Sequence, residues 1–137
     1  MAHAEDQASE GFLVRVASAA RVEVGKEIRL SLSILPRGGY SVSADGPVAI
    51  DLGVGDRAVV QVPKERYRRR DAADPGAEAP RFEFRVRGLT PGETELLISL
   101  SFWLCREYSC RPIETSHSVR VESHRPLKSD SDESEPS

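Results

Sequence analysis

The chain has little sulfur and few rings: two cysteines, one methionine, one tryptophan, four phenylalanines and three tyrosines in 137 residues. Two cysteines cannot build the multi-bridge framework of a small disulfide scaffold; they make one bridge or none. No apolar run approaches the ~18 residues of a helical membrane span. An excess of one charge is also missing, since 19 Lys and Arg against 22 Asp and Glu leave a net charge of −3. Such a balance gives no general attraction to nucleic acid or to anionic membrane. No Gly-rich loop opens a helix, and Ser, His and Asp occur in no recognisable catalytic order, so neither phosphate cradling nor triad chemistry is supported. The sequence carries no cofactor motif and nothing that identifies an enzyme. Met1 to Glu10 lacks the basic start and apolar stretch of a secretory signal. The expectation is a cytoplasmic protein if the chain is complete, and a periplasmic or extracytoplasmic one if it is an excised domain.

What the sequence does have is alternation. Phe12, Val14 and Val16 alternate with Leu13, Arg15 and Ala17, and Val22 and Val24 continue in extended fashion. Ile28, Leu30, Leu32 and Ile34 alternate with Arg29, Ser31 and Ser33; Phe82, Phe84 and Val86 alternate with Arg81, Glu83, Arg85 and Arg87. Period two places one row on a core and the next in water, as a half-buried strand requires and a helix does not. Shorter extended pieces are expected around Tyr40–Ala44, Val48–Leu52 and Ala58–Val62. Later come Leu96, Ile98, Leu100, Phe102 and Leu104, then Ile113, Thr115, His117, Val119 and Val121. Pro36, Gly38-Gly39, Asp45-Gly46-Pro47 and Thr90-Pro91-Gly92 punctuate these runs. Short strands between turn signals, without helical segments, predict an all-β, antiparallel immunoglobulin-like β-sandwich of about seven to nine strands. Its bounds are 11–124, with a disordered lead over 1–10 and an acidic disordered tail over 125–137.

The best hairpin candidate joins the last two long strands, with Cys105 and Cys110 flanking a four-residue loop, Arg106 to Ser109. Opposed residues in such a hairpin lie close enough at Cα for a disulfide. Three readings stay open. One is a local structural bridge or inert thiols. Another is a redox-exchanging pair, helped by Arg106 and Arg111, whose charge favours thiolate. The third is a metal site, for which only His117 and His124 are available downstream. The Cys-x4-Cys spacing is not that of a thioredoxin active site.

Two segments together resemble a known group. Leu35-Pro36-Arg37-Gly38-Gly39-Tyr40-Ser41-Val42-Ser43-Ala44-Asp45-Gly46-Pro47 is similar to its leucine-proline-glycine-tyrosine segment. Leu100-Ser101-Phe102-Trp103-Leu104-Cys105 with Cys110 resembles its late aromatic strand, short turn and second Cys. The group is the immunoglobulin-like N-terminal domain of the thiol:disulfide interchange protein DsbD, with the related C-terminal β-domain of NHL-repeat proteins fused to thioredoxin domains. The resemblance spans about Val22 to Val121. It implies an immunoglobulin-like sandwich. It also implies either electron transfer through Cys105 and Cys110 or an accessory role beside a thioredoxin-like partner.

The segment from Lys64 to Pro80 departs from the group and reads as a long exposed loop. Its basic run, Lys64, Arg66, Arg68, Arg69 and Arg70, with Tyr67 available for stacking, is a candidate for an acidic partner or nucleic acid; the alternative is a solvated face. Trp103 is a candidate partner surface, although burial in a second layer with Leu97 is the favoured expectation. The functional expectation is a non-catalytic protein-interaction module, accessory to a thioredoxin-like or larger system. Thiol-disulfide exchange is the alternative, and contact through the basic loop the weaker one. No metal and no cofactor are expected.

Overall fold

The computed structural model describes residues 3–9 as backbone and residues 11–75, 77 and 79–126 in full. The acidic tail expected beyond Pro126 lies outside the described residues. The described residues form ten strands: β1 (His3–Ser9), β2 (Phe12–Glu23), β3 (Glu27–Pro36), β4 (Ser41–Val42), β5 (Ala49–Val54), β6 (Val60–Gln61), β7 (Arg66–Arg68), β8 (Arg81–Gly88), β9 (Gly92–Arg106) and β10 (Ser109–His124). Apart from one 3₁₀ turn at Arg69–Asp71, no helix occurs among the described residues, and none is long and apolar enough to cross a membrane.

Hydrogen bonding runs in the order β6-β8-β3-β2-β10-β9-β5-β7. Strand β2 belongs to both layers. Phe12 to Val16 pair antiparallel with β3, while Ala19 to Glu23 pair parallel with β10. The crossing falls at Ala17-Ser18-Ala19-Ala20, where small side chains let the strand pass between layers without overfilling the core. One layer is therefore β6-β8-β3-β2 and the other β2-β10-β9-β5-β7, the strand arrangement of an immunoglobulin-like sandwich. Ring contacts confirm that the layers face each other. Phe12 meets Phe102 edge-to-face at 5.3 Å between centroids, and Tyr67 meets Phe84 at 5.0 Å.

The alternating rows turn inward as the sequence predicts. Leu30, Leu32, Ile34, Phe82, Phe84, Val86, Leu96, Ile98, Leu100, Phe102 and Leu104 are all buried. Burial of such side chains, at about 25 cal/mol per Å² of apolar area, is the main force holding the layers together.

Three expectations change. The lead read as disordered contains β1, which pairs antiparallel with β2 from Phe12 to Ala19. It lies on an edge, where backbone pairing does not require an apolar face, so the polar run His3-Ala4-Glu5-Asp6-Gln7-Ala8-Ser9 gave no signal. The segment 64–80 is not simply a long exposed loop. Arg66–Arg68 pair with β5, and Tyr67, expected to be free for stacking, is buried against Phe84. Cations on both sides of Tyr67 hid a short out-in-out alternation. The last hairpin turns through two residues rather than four, since Arg106 pairs with Ser109 and Cys105 with Cys110.

Candidate functional site

The β9–β10 hairpin outgrows the sandwich. Leu104 and Ile113 are its last buried residues, and Arg106 to Pro112 are all exposed. Glu107, the first turn residue, has φ of 58°, the sign that a tight hairpin turn of the II′ kind needs there. Beyond it Tyr108 is fully exposed. Hydrogen-bonded pairing at Arg106 and Ser109 leaves Cys105 and Cys110 in the next, non-hydrogen-bonded pair, where the backbones lie closest. The two sulfurs are bonded, and their Cα atoms are 4.0 Å apart. Cys105 is half-buried, because Ser41 of β4 pairs with it on its other side; Cys110 is exposed.

Alternation gives the hairpin end two different faces. Outward, with the disulfide, stand Trp103 and, opposite it, Pro112. Trp103 is 38 % exposed, which overturns the expected burial. Among the described residues no further layer covers this face, and the Ser43–Gly46 loop lies beside Trp103. The Ser43 N–H donates to the Trp103 carbonyl at 2.9 Å, and a Cβ on Gly46 would lie 3.3 Å from that of Trp103. On the opposite face stand Arg106 and Arg111. Their guanidinium carbons lie 5.2 Å and 5.8 Å from the centroid of Tyr40. The two arginines neighbour the cysteines in sequence, yet strand alternation turns them away from the sulfurs. Gly11 makes room for Tyr40. It has φ of +89°, and a Cβ there would come within 2.7 Å of the ring.

The basic run is largely engaged with its own chain. Lys64 Nζ donates to Asp71 at 2.6 Å. That bond, with the Arg68 backbone N–H at 2.8 Å, holds the Asp71 carboxyl below its usual range. Arg66 and Arg68 lie 3.8 Å and 4.0 Å from Asp51. The Arg69 guanidinium donates to the carbonyls of Gly46 and Pro75, each at 3.1 Å, and to that of Ser43. It thereby ties the loop after β7 to the loop beside Trp103. Arg70 is exposed. Burial, with the Asp71 charge adding to it, pushes the Tyr67 hydroxyl up.

Among the described residues no group of three His, Cys, Asp or Glu stands together as a metal site. His117, weighed above as a ligand, is buried on the inner face of β10, with Nε2 2.9 Å from Thr115 Oγ1; burial pushes its pKa down. Sequence reading missed Tyr40 and Tyr108 as site residues. Tyr40 was legible only as the start of a short extended piece, and Tyr108 only as one residue of a loop.

No family model matches the chain, and no curated protein matches it in sequence. Solved structures do. A cohesin module from a Clostridium perfringens family 33 glycoside hydrolase matches with a TM-score of 0.50 and 9 % identity, over 85 % of this chain and all of that module. Domains 4 and 5 of the S-layer protein SbsC give 0.50 and 10 % identity over 89 % of this chain, which spans about half (47 %) of that fragment. A chain of the Salmonella enterica SafA pilin–SafB chaperone complex gives 0.47 and 13 % identity, over 88 % of this chain and 58 % of that one. Identities this low speak to the fold alone. The fold is an immunoglobulin-like β-sandwich.

Proposed function

We propose that this domain is a non-catalytic protein-interaction module whose partner meets the hairpin end. Sandwiches of this kind host many unrelated functions, so the site has to carry the argument. The observation that carries it is the disulfide-closed turn presenting a fully exposed Tyr108, with Trp103 on one face and Arg106 and Arg111 on the other. Tyr, Trp and Arg are the residue types that dominate binding energy at protein interfaces. A cross-linked tip holds the backbone that carries them, so less of the ordering cost falls on binding. A photo-cross-linking side chain placed at position 108 should trap a discrete partner protein in cells. The same probe at Lys26, at the other end of β3, should not. Equal yields from the two ends would reject the assignment.

A second reading is thiol-disulfide exchange, with the domain accessory to a thioredoxin-like system, as the resemblance to the DsbD group implies. It is favoured by the placement of the bridge at an exposed tip. A partner thiolate would meet Cys110, the exposed half, form a mixed disulfide with its sulfur and release Cys105 as thiolate. Equilibration in dithiol redox buffers tests it. A midpoint in the range of about −270 to −120 mV supports exchange, and one below about −300 mV marks a structural bridge.

A further inference from the structure

The outer face of β5, β9 and β10 is a floor of small side chains with an indole at one end. Ala49 pairs with Ser101 and Asp51 with Ser99 across β5 and β9, while Glu114 and Ser116 stand opposite Ser101 and Ser99 on β10. Together these residues line a shallow groove. Trp103 and Pro112 form the next row towards the tip, about 6.7 Å further along the strands. Trp103 is 38 % exposed, and Glu114 is exposed as well. Glu114 is the diagonal neighbour of Trp103, at the ~7–8 Å of such positions. Asp51, on the far side of the floor, already has Arg66 at 3.8 Å and Arg68 at 4.0 Å. Glu114 is therefore the carboxylate that a cation lying in the groove meets beside the indole.

We propose that this face binds a proline-rich segment of a partner polypeptide, with a proline ring stacked on Trp103 and an Arg or Lys of the segment paired with Glu114. The proposal rests on the hairpin end being the partner-binding end. The backbone amides of β5, β9 and β10 bond to one another in the plane of the sheet. A ligand lying on that plane has to be held by side chains and to keep its own backbone in water. A polyproline II helix meets both conditions, since it has no internal hydrogen bonds and a fully solvated backbone. It also arrives already ordered, which is why aromatic-lined surfaces recognise it. One turn advances three residues, about 9 Å, and returns to the same side. That step, with the reach of a long basic side chain, spans from Trp103 to Glu114. Ala49, Ser99 and Ser101 carry too little side chain to obstruct it.

Trp103 is the chain's one tryptophan, so its emission reports the contact directly. The probes are two peptides, five prolines followed by arginine and the same residues in reverse order, because a polyproline helix can lie either way round. Titrated into the full chain, at least one of them should shift Trp103 emission saturably, and a fluorescein label then gives affinities by anisotropy. Trp103→Ala should weaken binding at least tenfold, and so should glycine and serine in place of the prolines. Glu114→Gln should weaken the arginine peptide several-fold and leave a peptide with glutamine for arginine unchanged, a coupling that lost fold would not give. Unchanged melting temperatures in both variants separate lost contact from lost fold. Ser101→Leu, which fills the groove and touches neither anchor, should also block binding. No emission shift at millimolar concentration of either peptide, full affinity in Trp103→Ala, or equal effects of Glu114→Gln on the arginine and glutamine peptides would overturn the site. Peptide failure with a persisting cross-link from position 108 removes this site and leaves the interaction end standing. Peptide binding without any cross-link does the reverse.

Discussion

Replacing Arg69 with Met should damage the fold, while the same change at Arg70 should not. Arg69 donates to three carbonyls, those of Gly46, Pro75 and Ser43. A hydrogen bond to a charged group contributes about 1.5–3 kcal/mol when well shielded. Arg69 is only half-buried, its acceptors regain water when released, and neighbouring losses are not additive. About 2–3 kcal/mol in total is the reasoned cost. With a urea slope of about 1.5–2 kcal/mol per M, the unfolding midpoint should fall by about 1–2 M. Arg70→Met should stay within about 0.5 kcal/mol, as for an ordinary surface change. A second readout is built in. The loop that Arg69 holds packs beside Trp103, the chain's one tryptophan. Native fluorescence should shift to the red in Arg69→Met, before any unfolding. Equal midpoints for the two variants, with unchanged emission, would refute the clamp and return Arg69 to the candidates for binding a partner.

Three further outcomes follow from the same geometry. Changing Cys105 and Cys110 to Ser opens a loop whose ends are five residues apart. Loop entropy puts the cost at about 2 kcal/mol, or about 5–10 °C in melting temperature by calorimetry; no change would mean that the bridge does not stabilise the fold. Gly11→Ala combines a left-handed φ, costing about 1–2 kcal/mol, with a Cβ 2.7 Å from Tyr40. It should lower the urea midpoint, and a wild-type midpoint would refute the close packing of Gly11 on Tyr40. Burial holds the His117 pKa below its ordinary 6.5, so on acidification the unfolded chain takes up that proton first. Stability should be full above about pH 6.5 and fall towards pH 5. Asp71, also lowered, acts in the same sense only around pH 4 and below. Denaturation of His117→Leu at pH 7 and 5 should show a smaller loss than wild type, and an equal loss would exclude His117 as the cause.

Much of the sandwich was legible because its core strands are buried on one face only. Leu30, Phe84 and Ile98 each announce a row by period two, and each row is buried. What was hidden is what alternation does not encode. Edge strand β1 pairs through backbone, so its polar sequence said nothing. The passage of β2 between layers shows only as a run of small residues, Ala17 to Ala20, which also suits a weak strand. Arg69 looked like its neighbours, because a cation that binds carbonyls and one that faces water have the same letter. At the site, spacing was enough to place Cys105 opposite Cys110. It was not enough to tell which face of the hairpin each arginine takes, since that depends on a turn of two residues rather than four. Trp103 was misjudged for a related reason. Leu97 shares its row, and an apolar pair on the outer face looked like a second buried layer, yet Leu97 is 48 % exposed.

The location of the disulfide bears on both of its readings. Register in this hairpin is already fixed below the tip, where Leu104, Phe102 and Leu100 of β9 are buried and their partners on β10 are paired residue by residue. The bridge is therefore not needed to align the strands, and the hairpin should survive reduction. Survival is what exchange requires, because a carrier has to fold in both redox states. It is also compatible with an interface role, in which the bridge holds the unsupported tip so that Tyr108 and the Arg106–Arg111 face keep one geometry. The distinction lies in what reduction does to binding. If the tip is the interface, opening the bridge frees the backbone at Cys105 and Cys110, and the ordering entropy, about 1–2 kcal/mol per residue, falls on the binding step instead. The cross-link yield from position 108 should then drop about tenfold or more in the Ser-Ser variant, although the fold persists. If the pair serves only exchange, that yield should be the same with the bridge open or closed.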